Sequence, residues 1–178
     1  MGRSNVGKSS LINMLTGVQI ARVSKTPGRT RVLNLFRVEN RWVLGDFPGY
    51  GFARVSKKER DDWRDLVKSY LTAENFQYAV HIVDARHPGL EADLQLQEWL
   101  QAGGIPSVIV LNKADKLNQK ERADADRKAR TAFSRQPLLF ASSTTKEGKR
   151  ELEKTLQNLT QEKKGAALRS KPHTPSNN

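Results

Sequence analysis

Gly2-Arg3-Ser4-Asn5-Val6-Gly7-Lys8-Ser9 fits the pattern G-x-x-x-x-G-K-[ST]. The glycines let the backbone curl until successive N–H groups point at phosphate oxygens. Lys8 is then placed to reach the β and γ phosphates of a nucleotide, and Ser9 to offer its hydroxyl to Mg²⁺. The helix expected next, running to Leu15 and closing near Gly17, adds the positive end of its dipole. Such a loop belongs between a strand and a helix of an α/β domain, and the rest of the chain can be tested against that expectation.

Runs rich in Val, Ile and Leu predict strands over residues 32–38, 41–46, 79–84, 107–112 and 137–141. Helical patterns fall between most of them. Ser56 and Glu59 form a capping box ahead of Trp63, Leu66, Val67, Tyr70 and Leu71, which share one helix face. A helix over residues 91–101 stops at Gly103-Gly104, Asn118 and Glu121 open a charged Ala-rich helix, and Leu152, Leu156 and Leu159 mark a last one. The alternation reads as α/β. Only Glu39 and Asn40 separate the first two strands, too short for a parallel crossover, so they should form an antiparallel hairpin in a mixed, mostly parallel sheet. Residues 1–160 are expected as one domain. From about Lys163 the apolar periodicity stops, and residues 161–178, with Lys163, Lys164, Arg169 and Lys171, are expected as a disordered basic tail.

Two further segments complete the phosphate end. Thr26-Pro27-Gly28-Arg29-Thr30-Arg31, running into Val32, is a Pro-Gly loop with two hydroxyls, of which Thr30 is the favoured metal ligand. Asp46-Phe47-Pro48-Gly49 ends a strand. Asp46 can hold Mg²⁺ through water, and the Gly49 N–H can sense the γ-phosphate and lose that contact on hydrolysis. Each of these two would be an ordinary turn if it stood alone.

The base-reading end follows later in the chain. Asn112-Lys113-Ala114-Asp115 lies at the carboxyl end of a strand, where open α/β sheets bind ligands. The two carboxylate oxygens of Asp115 can accept the ring N–H and exocyclic amine of guanine. Adenine presents an acceptor and no amine at those positions, which points to GTP over ATP. The Lys113 stem can cover the base, and Asn112 can tie the loops together. Ala141-Ser142-Ser143 can offer a backbone N–H to the guanine carbonyl.

The chain has 178 residues, room for one domain with a substantial core. It contains no cysteine, which excludes disulfides and thiolate metal sites. No apolar run of about 18 residues is present to span a bilayer, the polar start does not read as a signal peptide, and Val6 stands where a myristoylation motif needs Ser or Thr. A cytoplasmic address is expected. The three histidines, His81, His87 and His173, lack metal-ligand spacing. With 31 Lys and Arg against 19 Asp and Glu, the net charge of +12 predicts a polyanionic partner, RNA above all. Arg22, Lys25, Arg29, Arg31, Arg37 and Arg41 surround the Thr30 loop, with Glu39 alone against them. A second basic cluster, Lys57, Lys58, Arg60, Arg64 and Lys68, is balanced in part by Asp61, Asp62 and Asp65.

Together the segments at residues 2–10, 24–30 and 46–51, Val83-Asp84-Ala85-Arg86-His87-Pro88 and Asn112 to Asp115 resemble the EngB/YihA family of bacterial ribosome-biogenesis GTPases, over residues 2–159. The resemblance implies a Ras-like P-loop GTPase fold and a GTP-dependent factor in large ribosomal subunit assembly, whose loss impairs growth, division and septation. Members of that family carry an apolar strand directly ahead of the phosphate loop. Met1-Gly2 does not supply it, so a truncated or misassigned start is expected.

The reaction so implied is in-line attack of water on the γ-phosphate, helped by Lys8, Thr30, Gly49 and Asn5. Tyr50 occupies the place of the water-orienting glutamine of Ras-like proteins, which predicts slow turnover. Asn5 matches an asparagine that helps hold K⁺ in related GTPases, so K⁺ stimulation is an expectation. A monomer contacting rRNA is expected. The rival readings are a GTP-selected binding module with incidental hydrolysis, and a GTPase acting at the division machinery.

Overall fold

The computed structural model describes residues 1–21, 33–38, 42–49, 65, 67, 69, 70 and 78–169, with side chains as far as residue 159. The Thr30 loop, Tyr50 and most of the helix expected after Ser56 lie outside the described residues.

The phosphate loop leads into α1 (Lys8–Thr16), which Gly17 ends in a left-handed conformation with its N–H on the Asn13 carbonyl. Strands β1 (Asn34–Val38) and β2 (Trp42–Asp46) form the expected antiparallel hairpin, Val38 opposite Trp42. Then come β3 (Ala79–Asp84), α2 (Glu91–Ala102), β4 (Ser107–Asn112), a 3₁₀ turn (Ala114–Lys116), α3 (Gln119–Ala132), β5 (Leu138–Phe140) and α4 (Lys149–Arg169). Strands β3, β4 and β5 pair in parallel in that spatial order.

The burial of β4 explains its sequence. All six of its residues are buried, because helices cover both faces of the parallel sheet. Val108 and Val110 join Leu11, Met14 and Leu15 of α1 and Leu152 and Leu156 of α4. Ile109 and Leu111 point the other way, to Ala129 and Phe133. A third cluster brings Val67 and Phe47 against Met1, Ala79, Leu96 and Leu100. Val67 thus lies on the inner face expected of it, and Asp65, Val67, Ser69 and Tyr70 are helical. Asn118 and Glu121 form a reciprocal capping box at the start of α3.

Two expectations differ from the structure. Among the described residues the hairpin and the parallel strands form two sheets instead of one mixed sheet. No ladder joins β2 to β3. On the β3 edge away from β4, the described residues place Met1-Gly2, through a bridge from Gly2 to Ile82 and hydrogen bonds from Met1 N to the Val80 carbonyl and from Ile82 N to the Met1 carbonyl. The second difference is α4, which continues to Arg169. Residues 161–169, expected in the disordered tail, are therefore helical. Gln161-Glu162-Lys163-Lys164 and Ala166-Ala167-Leu168 are helix formers, and intrinsic propensity extends a helix past its last apolar contact. Residues 170–178 lie outside the described residues.

One buried polar network crosses the sheet. His81, fully buried, hydrogen-bonds through Nδ1 to Gln97 Oε1 at 3.1 Å, and Gln97 donates to Ser107 Oγ at 2.9 Å. The His81 ring meets Phe133 edge-on, its Nε2 3.9 Å from Asp93 Oδ1. This partnering accounts for an imidazole in an apolar strand.

Candidate nucleotide-binding site

Helix α1 starts at Gly7 with no side-chain cap. The N–H groups of its first turn therefore face the loop, as an anion site requires. Gly7 has φ 99°, and a Cβ there would stand 2.3 Å from Asn112 Nδ2, so only glycine admits the base-reading segment this close to the loop. Lys8 Nζ donates to the Arg3 carbonyl at 3.0 Å. Burial lowers the Lys8 pKa to about 8, against the opposing pull of the Asp46 charge. Gly49 passes over the loop so closely that a Cβ would lie 2.7 Å from Lys8 Nζ and 2.9 Å from Ser4 Cα. Gly2 is drawn into its bridge with β3, and Val6 is buried in the core.

Asp46, at the end of β2, is buried and accepts a hydrogen bond from Ser9 Oγ to Oδ2 at 2.9 Å, while its Oδ1 is buried with no hydrogen-bond partner. A carboxylate and a hydroxyl with an unsatisfied buried oxygen suit Mg²⁺, a hard cation that takes oxygen ligands and keeps several waters. Among the described residues no group of three His, Cys, Asp or Glu gathers. Gly28, Arg29, Thr30, Arg31 and Val32 lie outside the described residues. Phe47 packs its ring in the core, which leaves its backbone for the site role expected of it.

The base-reading segments meet the loop at the carboxyl ends of β3, β4 and β5. Asn112 Nδ2 donates to the Val6 carbonyl at 2.7 Å and Lys113 Nζ to the Asn5 carbonyl at 2.7 Å. Asn5 and Lys113 both have positive φ, 61° and 67°. The Ala114 N–H bonds the Ala141 carbonyl, tying the two base-reading segments together. Ser142 Oγ donates to Asp115 Oδ1 at 2.7 Å, and Lys116 Nζ is 3.3 Å from Asp115 Oδ2. The Ser142 hydrogen bond, opposed by burial and aided by Lys116, holds the Asp115 pKa below its ordinary value. Asp115 is thus kept charged, as the expected acceptor of two donors would need to be. Of the three N–H groups from which one was expected to meet the base carbonyl, that of Ala141 bonds Leu111 and that of Ser142 bonds Glu147, which makes Ser143 the candidate. The hydroxyl of Ser142 orients Asp115, a part the sequence did not disclose.

A side chain absent from the expected site also reaches it. Asp84, the last residue of β3, takes Lys113 Nζ on Oδ2 at 2.9 Å, Arg86 Nε on Oδ1 at 2.9 Å and an Arg86 guanidinium nitrogen on Oδ2 at 2.7 Å. Burial would raise its pKa, but the hydrogen bonds from Arg86 and Lys113 prevail and hold it well below the carboxylate range. The signal was available in the sequence: an aspartate closing a strand beside the strand that ends in Asn112.

A family described as 50S ribosome-binding GTPase matches residues 1–113. The probable GTP-binding protein EngB of Pelotomaculum thermopropionicum is 46% identical over 156 residues, covering 85% of this chain and 79% of that one. The chain belongs to the EngB family of GTP-binding proteins. The EngB relative from Thermotoga maritima is 43% identical over 166 residues, covering 91% of this chain and 85% of its own. A crystal structure of a probable EngB superposes with a TM-score of 0.74 at 25% identity, over 90% of this chain and 96% of the other. Aquifex aeolicus Era bound to GDP·AlF₄⁻ gives a TM-score of 0.74 at 24% identity, over 89% of this chain and 54% of its own. It shows the same fold. The fold is thus that of Ras-like P-loop GTPases, and the EngB assignment makes this a GTP-binding protein. No helix among the described residues is long and apolar enough to cross a membrane.

Proposed function

We propose that this EngB-family chain binds GTP with Mg²⁺, hydrolyses it slowly to GDP, and uses the cycle to engage RNA of the large ribosomal subunit during assembly in the cytoplasm. The observation that carries the nucleotide chemistry is the pairing of Asp46 with Ser9, one buried carboxylate oxygen remaining without a partner. When bound there, Mg²⁺ would neutralise charge on the β and γ phosphates. Lys8 and the loop N–H groups would hold the transferring group, and Gly49, seated against Lys8, would register whether the γ-phosphate is present. Asn5 is the residue through which K⁺ would act, and equal rates in K⁺ and Na⁺ would remove that part of the proposal. The net charge of +12 and the name of the matching family support the ribosomal target. A role in division and septation would follow indirectly from defective ribosome assembly.

Tyr50 favours one second reading, in which nucleotide selects a conformation for binding and hydrolysis is incidental. Single-turnover hydrolysis with and without purified large subunits separates the two. A GTPase switch is accelerated by its subunit, whereas the binding module shows salt-sensitive, GTP-dependent binding with no change in rate. The nucleotide reading itself is tested with Asp115→Asn. It should lose about 100-fold in GTP affinity and gain affinity for xanthosine triphosphate, because xanthine carries a carbonyl in place of the guanine amine. Unchanged GTP affinity would refute the assignment of Asp115.

A further inference from the structure

Asp84 lies opposite Asn112 in the β3–β4 register, so the last residues of two neighbouring parallel strands stand side by side beneath the phosphate loop. Its two oxygens accept four hydrogen bonds, from the Arg86 backbone N–H, two Arg86 guanidinium nitrogens and the Lys113 ammonium. Arg86 closes a fork on both oxygens, which fixes the plane of the carboxylate. Lys113 is then held between a charged acceptor and the Asn5 carbonyl. A lysine stem has four rotatable bonds and would otherwise sample many positions in water. Its left-handed backbone and these two acceptors leave it one.

We infer that Asp84, clamped by Arg86, is a positioning residue that fixes Lys113 across the nucleotide site and so joins base recognition to the phosphate loop. The inference rests on the guanine-nucleotide reading. Asn112 ties the β4 end to Val6, and Lys113 ties it to the neighbouring Asn5. Of these two ties only the second is charged, and its charge is balanced by Asp84. Without the carboxylate, Lys113 would exchange the carbonyl for water, and the cover it gives a bound base would open and close freely. The predicted consequence is faster nucleotide release with little change in association, since the docking surface itself is unaltered.

Arg86 has a side chain 44% exposed, against 10% for Asp84. The clamp is thus reachable from solvent and its removal leaves the core intact. This makes Arg86→Met the variant that tests the inference even where Asp84→Asn folds poorly.

The experiment is stopped-flow release of a fluorescent GDP analogue from the full chain, for wild type, Asp84→Asn, Asp84→Glu, Arg86→Met, Lys113→Met and the double variants with Lys113→Met. Asp84→Asn should speed release on the order of 10- to 100-fold, the scale of one charge-assisted hydrogen bond. Arg86→Met should speed it by roughly threefold, since Lys113 keeps both its acceptors but the Asp84 carboxylate is less constrained. Asp84→Glu should restore part of the loss. In the Lys113→Met background both changes should add almost nothing, a result that a merely structural turn would not give. Release at the wild-type rate in Asp84→Asn and Arg86→Met, or effects that add fully to Lys113→Met, would overturn the inference. Failure of wild type to bind the GDP analogue at all would instead refute the nucleotide reading on which it rests.

Discussion

The two ends of the nucleotide site differ in how far they are built before any ligand arrives. At the base end, Asp115 is held by Ser142 and Lys116, Asn112 by Val6, and Lys113 by Asn5 and Asp84. Most of these ties join residues far apart in sequence, so folding itself sets the geometry. At the phosphate end, Lys8 turns back onto its own loop at Arg3, Asp46 keeps an oxygen without a hydrogen bond, and Gly49 closes over the loop. The difference teaches that on the proposed reading the base end is built during folding, whereas phosphate and metal binding would be completed by the ligand. Substitutions at the two ends should therefore separate stability from affinity.

The largest effect should come from Lys8→Met. Loss of the cation proposed to hold the β and γ phosphates should lower GTP affinity by more than about 100-fold, while the nucleotide-free melting temperature holds or rises, because a buried ammonium costs desolvation that a thioether does not. Thermal melts beside GTP titrations check this, and a large drop in nucleotide-free stability would break the comparison. Gly7→Ala should act on both ends at once. Its Cβ would strike Asn112 and its φ of 99° is strained for any side chain, so chemical denaturation should show a loss of about 1–3 kcal/mol together with weaker GTP binding.

Asp84 sharpens the contrast through pH. Its folded pKa lies below the unfolded value, so its contribution to stability is present above about pH 4, the unfolded carboxylate value, and is lost as pH falls through the folded pKa. The stability gap between wild type and Asp84→Asn should accordingly be widest near neutrality and shrink below about pH 4. Melting temperatures of both proteins from pH 7 to pH 3 would show it, and a gap independent of pH would count against the ion pairs. The smallest effect is expected from Asn118→Ala, which removes the capping box of α3. A loss of about 1 kcal/mol in unfolding free energy with unchanged GTP affinity would mark α3 as scaffold for the site.

Much of this was legible in the chain. Strands over residues 79–84 and 107–112 were readable to the residue because helices cover both faces of the parallel sheet, leaving continuous apolar runs. The hairpin followed from the shortness of its connection. The loop at residues 2–9 and the turn at Asn112 to Asp115 were readable as motifs because their spacing is local along the backbone. The extent of α4 was not readable, since the apolar stripe ends before the helix does.

By itself the sequence determined the segments proposed to touch a nucleotide, their order and the reading of guanine, since each depends on residues a few positions apart whose backbone conformation is set locally. Only the tertiary structure decided how those segments hold one another. Asp84 against Lys113 and Arg86, Ser142 against Asp115, and Gly7 against Asn112 are contacts between strand ends, created by parallel register. A linear pattern carries no distance between residues 7 and 112, and the packed sheet sets it.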